Sequence, residues 1–210
     1  MTEIAVPRST VSLTRVAGVA TIIGSATGII GALFLVLVPP VVATDVFSYP
    51  LDAPGRAIAQ LSFFFNHVLL ALGIIALALS PASRALPGRL GAWIALGAMT
   101  LLSFCELWAI ALAEATYPSP ETAPLDAAYG IASIGLGIGL VLAGIGVART
   151  RLWTGWARWV VLVLGAMVFV VVTPGLMLGF VGGRLALATW MVAWVFFGIA
   201  LLRESERADC

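Results

Sequence analysis

Two ionisable side chains lie in the middle of long apolar runs, and their types make them the best candidates for chemistry in this chain. They are His67, the only histidine, and Glu106. A carboxyl and an imidazole in contact can exchange a proton, which serves acid-base catalysis or proton-linked binding. Ionised groups in hydrocarbon cost roughly 2.5 to 3.5 kcal/mol on insertion scales, so such residues within a membrane point to a function.

The runs that contain these residues are long enough to cross a bilayer. Mean hydropathy is +1.11, with 61% hydrophobic and 10% charged residues. A hydrocarbon core about 30 Å thick needs roughly 20 apolar residues per helix. We predict one all-α transmembrane domain over residues 1–210, a six-helix bundle. Its helices are expected at about 15–39, 57–80, 90–115, 127–148, 159–181 and 185–202, with a tight hairpin at Gly182, Gly183 and Arg184 between the last two.

The arginines are distributed unevenly between the two ends of the predicted helices. If the N-terminus is cytoplasmic, nine arginines flank the cytoplasmic helix ends, and only Arg56 and Arg184 flank the outer ends. Short cytoplasmic loops retain positive charge during insertion, so both termini are predicted to be cytoplasmic. The first run is longer than the apolar part of a signal peptide, about 7 to 15 residues. A composition rich in alanine, glycine and arginine without lysine indicates a bacterial cytoplasmic membrane, spanned several times.

His67 and Glu106 are predicted at matching depths. His67 lies ten residues from the outer end of the second helix, and Glu106 nine residues from that of the third. At 1.5 Å per residue these are about 15 Å and about 13.5 Å. A short turn joins the two helices, so we predict direct or water-mediated contact between the side chains. The pair could instead only fix helix register, through a bond that averages about 0.6 kcal/mol in measured bundles.

Other residues at the same depth extend this pair to a predicted pocket. Asn66 adjoins His67, and Gln60 lies seven residues earlier on the same helix face. Pro174 is expected to kink the fifth helix, since proline frees a backbone carbonyl and is tolerated where membrane helices line cavities. Trp194 is predicted to supply an aromatic wall of the ligand-binding pocket.

Nearer the outer mouth, Arg56 and Glu114 are predicted to pair as the rim or gate of the pocket. Phe63, Phe64 and Phe65 would supply apolar surface. The apolar inner halves of the helices are expected to close the pocket toward the cytoplasm. Such a pocket suits a small amphipathic or lipid-like ligand.

Cofactor, metal and nucleic-acid chemistry are not expected. Cys105 and Cys210 have neither disulfide nor metal-ligand spacing. One histidine cannot supply paired axial haem ligands, and zinc needs three or four convergent ligands, of which His67 and Glu106 supply two. A net charge of +1 argues against nucleic acid as a partner.

Glycines four residues apart are the main packing signal in the sequence. Gly24 and Gly28, Gly135 and Gly139, and Gly175 and Gly179 each share one helix face. Small residues let membrane helices approach closely, so these faces predict tight packing within the bundle. The same faces could bring copies of the chain together as a homo-oligomer, and membrane lipids are the other expected partner.

Three functions are compatible with these residues. The first is binding or transport of a small amphipathic ligand, with Glu106 and His67 as a proton-linked polar site. The second is a membrane-embedded enzyme in which Glu106 is the general acid or base on a lipid or isoprenoid substrate and His67 assists it. The third is a non-catalytic accessory subunit or scaffold.

Overall fold

The computed structural model describes residues 8–209, with side chains for residues 13–206, so predictions that rest on the side chains of Arg8, Arg207 and Cys210 lie outside this part. The described chain is 81% helical, without β-strands. The helices are α1 (Arg8–Leu37), α2 (Ala53–Leu79), α3 (Leu86–Ala111), α4 (Ala123–Thr150), α5 (Ala157–Met167), α6 (Thr173–Met177) and α7 (Gly179–Asp209), with a 3₁₀ turn at Pro81–Ser83 and a π-helical segment at Val168–Val172.

These helices provide six membrane spans. Each of α1 to α4 is one span; α5, the π-helical segment and α6 together are the fifth; α7 is the sixth. Each is long and apolar enough to cross a bilayer. The prediction of an all-α, six-span membrane protein is therefore confirmed, and the chain is a multi-pass membrane protein.

Helices α2 and α4, which start at the same end of the bundle, begin four residues earlier than predicted, because capping and proline start them. The Asp52 carboxylate accepts a hydrogen bond from the Gly55 backbone N–H at 2.9 Å and caps α2. Pro54 and Pro124 lie in the first turns of α2 and α4, where the missing N–H has no helical partner to lose. The loops at this end of the bundle are correspondingly shorter.

The predicted hairpin turn between the last two spans lies in a different place. The chain turns at Leu178 and Gly179, not at Gly182 to Arg184, which are part of α7. Gly179 has a φ of +83°, a conformation that glycine adopts at little cost. Gly182 and Gly183 lie against Leu178 and Leu176 instead. The two glycines therefore do not form the predicted turn; they allow α6 and α7 to approach closely.

The six spans form a closed ring in which neighbours in sequence are neighbours in space. Contacts run from α1 through α2, α3 and α4 to α5, and α7 closes the ring against α1 and the fifth span. One end of the ring holds the connections 38–52, 112–122 and 178–179, and we call it the loop-rich end. The opposite, arginine-rich end holds 80–85 and 151–156. It carries Arg15, Arg84, Arg89, Arg149, Arg151, Arg158 and Arg203.

Most of the large, fully buried side chains lie toward one end of the ring, although Leu35 and Leu125 are also fully buried near the loop-rich end. Large, fully buried side chains occupy the half next to the arginine-rich end: Leu70, Ile74, Leu77, Met99, Leu140, Leu164, Trp194, Phe197 and Leu201. At that end the Ser80 hydroxyl donates a hydrogen bond to the Glu204 carboxylate. The half next to the loop-rich end is open and contains the candidate site.

Glycines allow α3 and α4 to approach each other closely. A Cβ atom on Gly91 would meet the backbone of Ala143 and Gly139, and one on Gly146 would meet the backbone of Gly88. The predicted packing role is confirmed for Gly139 and for Gly24, which lies against α2. Assembly of copies through glycine faces stays a prediction.

Candidate functional site

His67 and Glu106 face each other across α2 and α3. His67 Nδ1 lies 3.7 Å from Glu106 Oε1. The two residues are only 8% and 7% exposed. The predicted proximity is confirmed, and it arises because the antiparallel helices bring residues of equal depth together. The separation is an ion-pair distance and exceeds that of a direct hydrogen bond.

These two side chains lie on the wall of a cavity with a volume of about 920 Å³. Ligand sites commonly measure about 300 to 1,000 Å³ and combine apolar walls with a few convergent polar groups. The polar groups here are Arg56, Gln60, Asn66, His67, Glu106, Tyr129 and Arg184, and the apolar walls include Phe47, Phe63, Phe180, Leu187, Trp190 and Met191. The cavity therefore has the size and composition of an amphipathic ligand site.

Four of the polar side chains are linked to one another or to the backbone. Gln60 Nε2 donates to the Tyr129 hydroxyl at 3.4 Å, and the Tyr129 hydroxyl interacts with the Glu106 carboxyl. Asn66 Nδ2 donates to the Gly24 carbonyl at 2.5 Å and ties α2 to α1. Gln60 and Asn66 are each 2% exposed. Their placement at the cavity agrees with the predicted layer of polar groups.

The two arginines of the cavity stack on aromatic rings. The Arg56 guanidinium lies 5.1 Å from the centre of the Phe47 ring, and that of Arg184 lies 5.2 Å from Phe180 and 5.9 Å from Phe63. Both are within electrostatic range of Glu106 and of each other. Among the described side chains, neither has a carboxylate within 4.0 Å.

The predicted rim pair of Arg56 and Glu114 does not form. Arg56 is 6% exposed and turns inward, toward Phe47 and the cavity. Helix α3 ends at Ala111, so Glu114 belongs to the following loop, where it is exposed and outside the cavity lining. The pair does not form because α3 ends at Ala111 and the chain changes direction before it reaches Glu114.

A cap over the cavity is built from the two long loops of the loop-rich end. Val46 and Thr116 form an antiparallel bridge. Phe47 N donates to the Ala115 carbonyl at 2.9 Å, and Tyr117 N donates to the Asp45 backbone carbonyl at 2.7 Å. Burial and the nearby Asp126 carboxylate raise the pKa of Tyr117. The loops 38–52 and 112–122 are thus held together over the cavity.

One side of the cavity lies between two helices that do not contact each other. Helix α5 and the π-helical segment pack on α4, but α6 makes no contact with α4. Both line the cavity, α4 through Gly130 and Ile134 and α6 through Thr173 and Leu176. Ile134 is 55% exposed and Leu176 52%. The cavity wall therefore contains a gap between α4 and α6, which we call the side opening.

The irregular fifth span creates this opening. The predicted departure from a regular helix near Pro174 is confirmed, although it takes the form of a π-helical segment, Val168–Val172. The Thr173 hydroxyl bonds to the Val168 carbonyl at 2.8 Å. π-Helical insertions occur often at functional sites. Pro174 itself is exposed and outside the cavity lining, so it shapes the wall without contacting the cavity.

Trp194 is not the aromatic wall that was predicted. It is fully buried in the filled half, stacked edge-on against Trp190 at 5.6 Å. Trp190, one turn nearer the loop-rich end, lines the cavity and donates Nε1–H to the Leu164 carbonyl at 3.0 Å. Of the three consecutive phenylalanines, only Phe63 lines the cavity.

Sequence reasoning missed Tyr129 and Arg184 as site residues. Tyr129 lies six residues into α4, and Arg184 five residues into α7. The sequence did contain a signal for Arg184. Arg56 and Arg184 are the two arginines at the outer helix ends, away from the other nine, and both line the cavity. The sequence contained no comparable signal for Tyr129.

The described residues contain no group of three His, Cys, Asp or Glu side chains arranged to hold a metal ion. No protein-family model matches the sequence, and comparisons with curated proteins and with solved structures give no match. The class that the fold defines is a six-span, all-α membrane protein. Its function has to be argued from the cavity.

Proposed function

We propose that this protein binds a small amphipathic or lipid-like molecule in the cavity at its loop-rich end. The observation that carries the proposal is the cavity itself, which joins apolar and aromatic walls to a cluster of buried polar side chains. Apolar walls with a few convergent polar groups are the usual composition of a small-molecule site. A scaffold needs no such cavity, because void space in a packed interior costs stability.

Two buried polar atoms of the cluster support a binding role. His67 Nδ1 and Arg56 Nε have no hydrogen-bond partner among the described residues. Buried polar groups in folded proteins are nearly always hydrogen-bonded, and an unsatisfied one costs about 1 to 3 kcal/mol. A ligand with a polar head would satisfy these atoms.

The side opening between α4 and α6 supports a lipid-like ligand. A molecule with an apolar tail could pass from the bilayer into the cavity there and keep its tail in an apolar environment. Among the described residues, the large side chains of the filled half are apolar or aromatic, and the buried hydroxyls of Thr21 and Ser25 there donate to carbonyls of their own helix. These features favour binding, or uptake from one leaflet, over conduction through the protein.

We further propose that the loop-rich end faces away from the cytoplasm, in a bacterial cytoplasmic membrane. The support is the charge distribution, since cytoplasmic ends retain arginine and the loop-rich end has only Arg56 and Arg184. The ligand would then come from the outer leaflet. Labelling of single cysteines introduced in the 112–122 loop by a membrane-impermeant maleimide on intact cells tests this orientation.

Blocking the side opening tests the binding function. Gly130 lines the cavity and has open space at its Cβ position, so Gly130→Trp would fill the opening. Gly97 also has open space but lies on the exposed face of α3, outside the cavity, and Gly97→Trp is the matched control. Native mass spectrometry from a neutral maltoside detergent would measure binding of hexadecanoic acid and hexadecanol.

We expect saturable binding of at least one probe to the wild type and to Gly97→Trp, and at least a tenfold loss in Gly130→Trp. Equal binding to all three proteins would mean that the probes sit on the outer surface, and the proposal would be wrong. No saturable binding to the wild type would also contradict it.

A membrane-embedded enzyme is the second candidate. The contact of His67 with Glu106, beside Tyr129, is an arrangement that could transfer a proton to or from a bound substrate. An enzyme would change the molecule it binds. Material extracted from purified wild type and from Glu106→Gln would then differ in chemical structure, whereas a binding protein would yield the same molecule from both.

A further inference from the structure

We propose that the ligand carries an acidic group, which Arg56 and Arg184 bind together, with its apolar chain directed toward the side opening. This inference rests on the proposed binding function and names the chemical class of the ligand. The shared chemistry is a carboxylate or phosphate at the head of an apolar chain, from a free fatty acid or from a phosphate-bearing lipid.

Charge is the first argument. The inner part of the cavity holds two guanidinium groups and one carboxylate, that of Glu106, and the two cations repel each other. Asp126 also lines the cavity, but its electrostatic interaction is with Tyr117 at the cap and not with the arginines. The arginine cluster therefore has an excess of positive charge, which one further anion would balance.

The geometry of the arginines is the second argument. Arg56 is 6% exposed, its Nε–H has no hydrogen-bond partner in the described part of the chain, and no described carboxylate lies within 4.0 Å. Leaving a buried charge without a partner is costly, and buried charges are normally paired. Each guanidinium lies over an aromatic ring, which is a cation–π interaction and supplies no oxygen to accept hydrogen bonds from the N–H donors.

The shape of the guanidinium group favours a carboxylate or phosphate ligand over a neutral one. Its planar fork of N–H donors matches the two oxygens of a carboxylate or phosphate, and such bonds are roughly twice as strong as neutral ones. A neutral alcohol offers one oxygen and no charge. The cluster should therefore discriminate strongly between an acid and the alcohol of the same chain length.

Tail orientation follows from where the remaining space lies. Arg184 belongs to α7, which packs against α6, and Leu176 of α6 lines the same cavity. Leu176 and Ile134, on the two sides of the side opening, line the same cavity as the two arginines. A chain attached to the acidic group would be covered by these side chains over its first carbons and by lipid beyond them.

Native mass spectrometry in a neutral maltoside detergent tests the inference with three probes of equal chain length: hexadecanoic acid, hexadecyl phosphate and hexadecanol. We expect the wild type to bind at least one acid tenfold or more tightly than the alcohol. Arg184→Gln should lose this preference, and Arg184→Lys should retain part of it. Arg89→Gln, an exposed arginine at the opposite end, should behave as the wild type.

The outcomes separate this inference from the proposed function. Equal affinity for acids and alcohol, with binding still blocked by Gly130→Trp, would overturn the acid preference and leave the binding function intact. Binding of none of the probes would overturn both. Preference for the carboxylate or for the phosphate supports the inference in either case, and identifies a fatty acid or a phosphate-bearing lipid as the source.

Discussion

His67 Nδ1 and Glu106 Oε1 are 3.7 Å apart, so the two side chains are adjacent but too far apart for a direct hydrogen bond. His67 Nδ1 is buried and has no hydrogen-bond partner among the described residues. If the pair only fixed the register of α2 and α3, a direct bond would be the expected contact, and Asn66 with Gly24 provides such a bond between α1 and α2. The geometry of the His67–Glu106 pair therefore suits a site completed by another molecule.

Replacing Glu106 by glutamine tests its part in the charge balance. Glutamine has nearly the same shape, so Glu106→Gln should fold as the wild type. Loss of the carboxylate removes the negative charge that competes with an acidic ligand for the arginines, so hexadecanoic acid should bind more tightly. We expect a change of up to roughly tenfold, about 1.4 kcal/mol, in mildly alkaline buffer.

Hexadecanol affinity should be unchanged in Glu106→Gln, because the alcohol carries no charge. Glu114→Gln is the matched control, since Glu114 is exposed in the loop after α3. Weaker acid binding in Glu106→Gln would contradict the charge argument and would mean that the Glu106 carboxyl itself bonds to the ligand.

The two buried tryptophans of α7 allow a hydrogen bond to be weighed against packing. Trp190→Phe removes the Nε1–H bond to the Leu164 carbonyl, whereas Trp194→Phe removes an N–H that has no partner in the described structure. Both lose similar ring volume. We expect Trp190→Phe to lower the free energy of unfolding by about 1 kcal/mol more than Trp194→Phe.

Unfolding of the two variants in mixed maltoside and dodecyl sulfate micelles would measure this difference. The matched loss of ring volume makes the difference between the variants more informative than either value alone. If Trp194→Phe were the more damaging of the two, packing in the filled half would outweigh the hydrogen bond.

Close approach of α3 and α4 predicts a position-dependent effect of adding one methyl group. A Cβ atom on Gly91 would meet backbone atoms of Ala143 and Gly139, which cannot move aside. We expect Gly91→Ala to destabilise the protein by about 1 to 3 kcal/mol, the usual range for overpacking. Thermal unfolding in detergent, followed by circular dichroism, is the measurement.

Gly97 on the same helix is the control for this experiment, because its Cβ position is open. Alanine is the better helix former by about 1 kcal/mol, so Gly97→Ala should be neutral or stabilising. A similar loss in both variants would show that backbone propensity, and not the contact with α4, controls the result.

The six spans could be predicted because each apolar run exceeds the thickness of the bilayer core, and matched depth was sufficient to bring His67 and Glu106 together. Rotation of each helix about its own axis could not be predicted. Helix α4 is apolar on all sides, so nothing in its sequence indicated that Tyr129 faces the cavity. The depth at which buried side chains close the cavity also depends on all six spans together. The sequence therefore could not show that Trp194 lies below the cavity, in the filled half.

The arginine cluster could not be predicted, because the turn before α7 lies at a different residue from the one that the sequence indicates. Gly182, Gly183 and Arg184 have the composition of a turn, but the chain turns at Gly179, and Arg184 is therefore helical and reaches the cavity. The turn position is decided by packing of the two glycines against α6. Local sequence alone does not contain this contact.

Cross-linking the cap tests whether the ligand enters between α4 and α6. Val46 and Thr116 form an antiparallel bridge, a geometry in which Cα atoms are about 4.5 to 5.5 Å apart, within the range for a disulfide. The double variant Val46→Cys with Thr116→Cys, made with Cys210→Ser, should close the cap on oxidation. The same protein after reduction is the control for the substitutions themselves.

We expect oxidised and reduced forms to bind hexadecanoic acid at rates within about twofold of each other, because a tail that enters from the lipid does not pass the cap. Stopped-flow quenching of tryptophan fluorescence by a nitroxide-labelled acid would measure the rate, since Trp190 lines the cavity. A tenfold slower rate in the oxidised form would place the entrance at the cap. The gap between α4 and α6 would then be only a consequence of the π-helical segment.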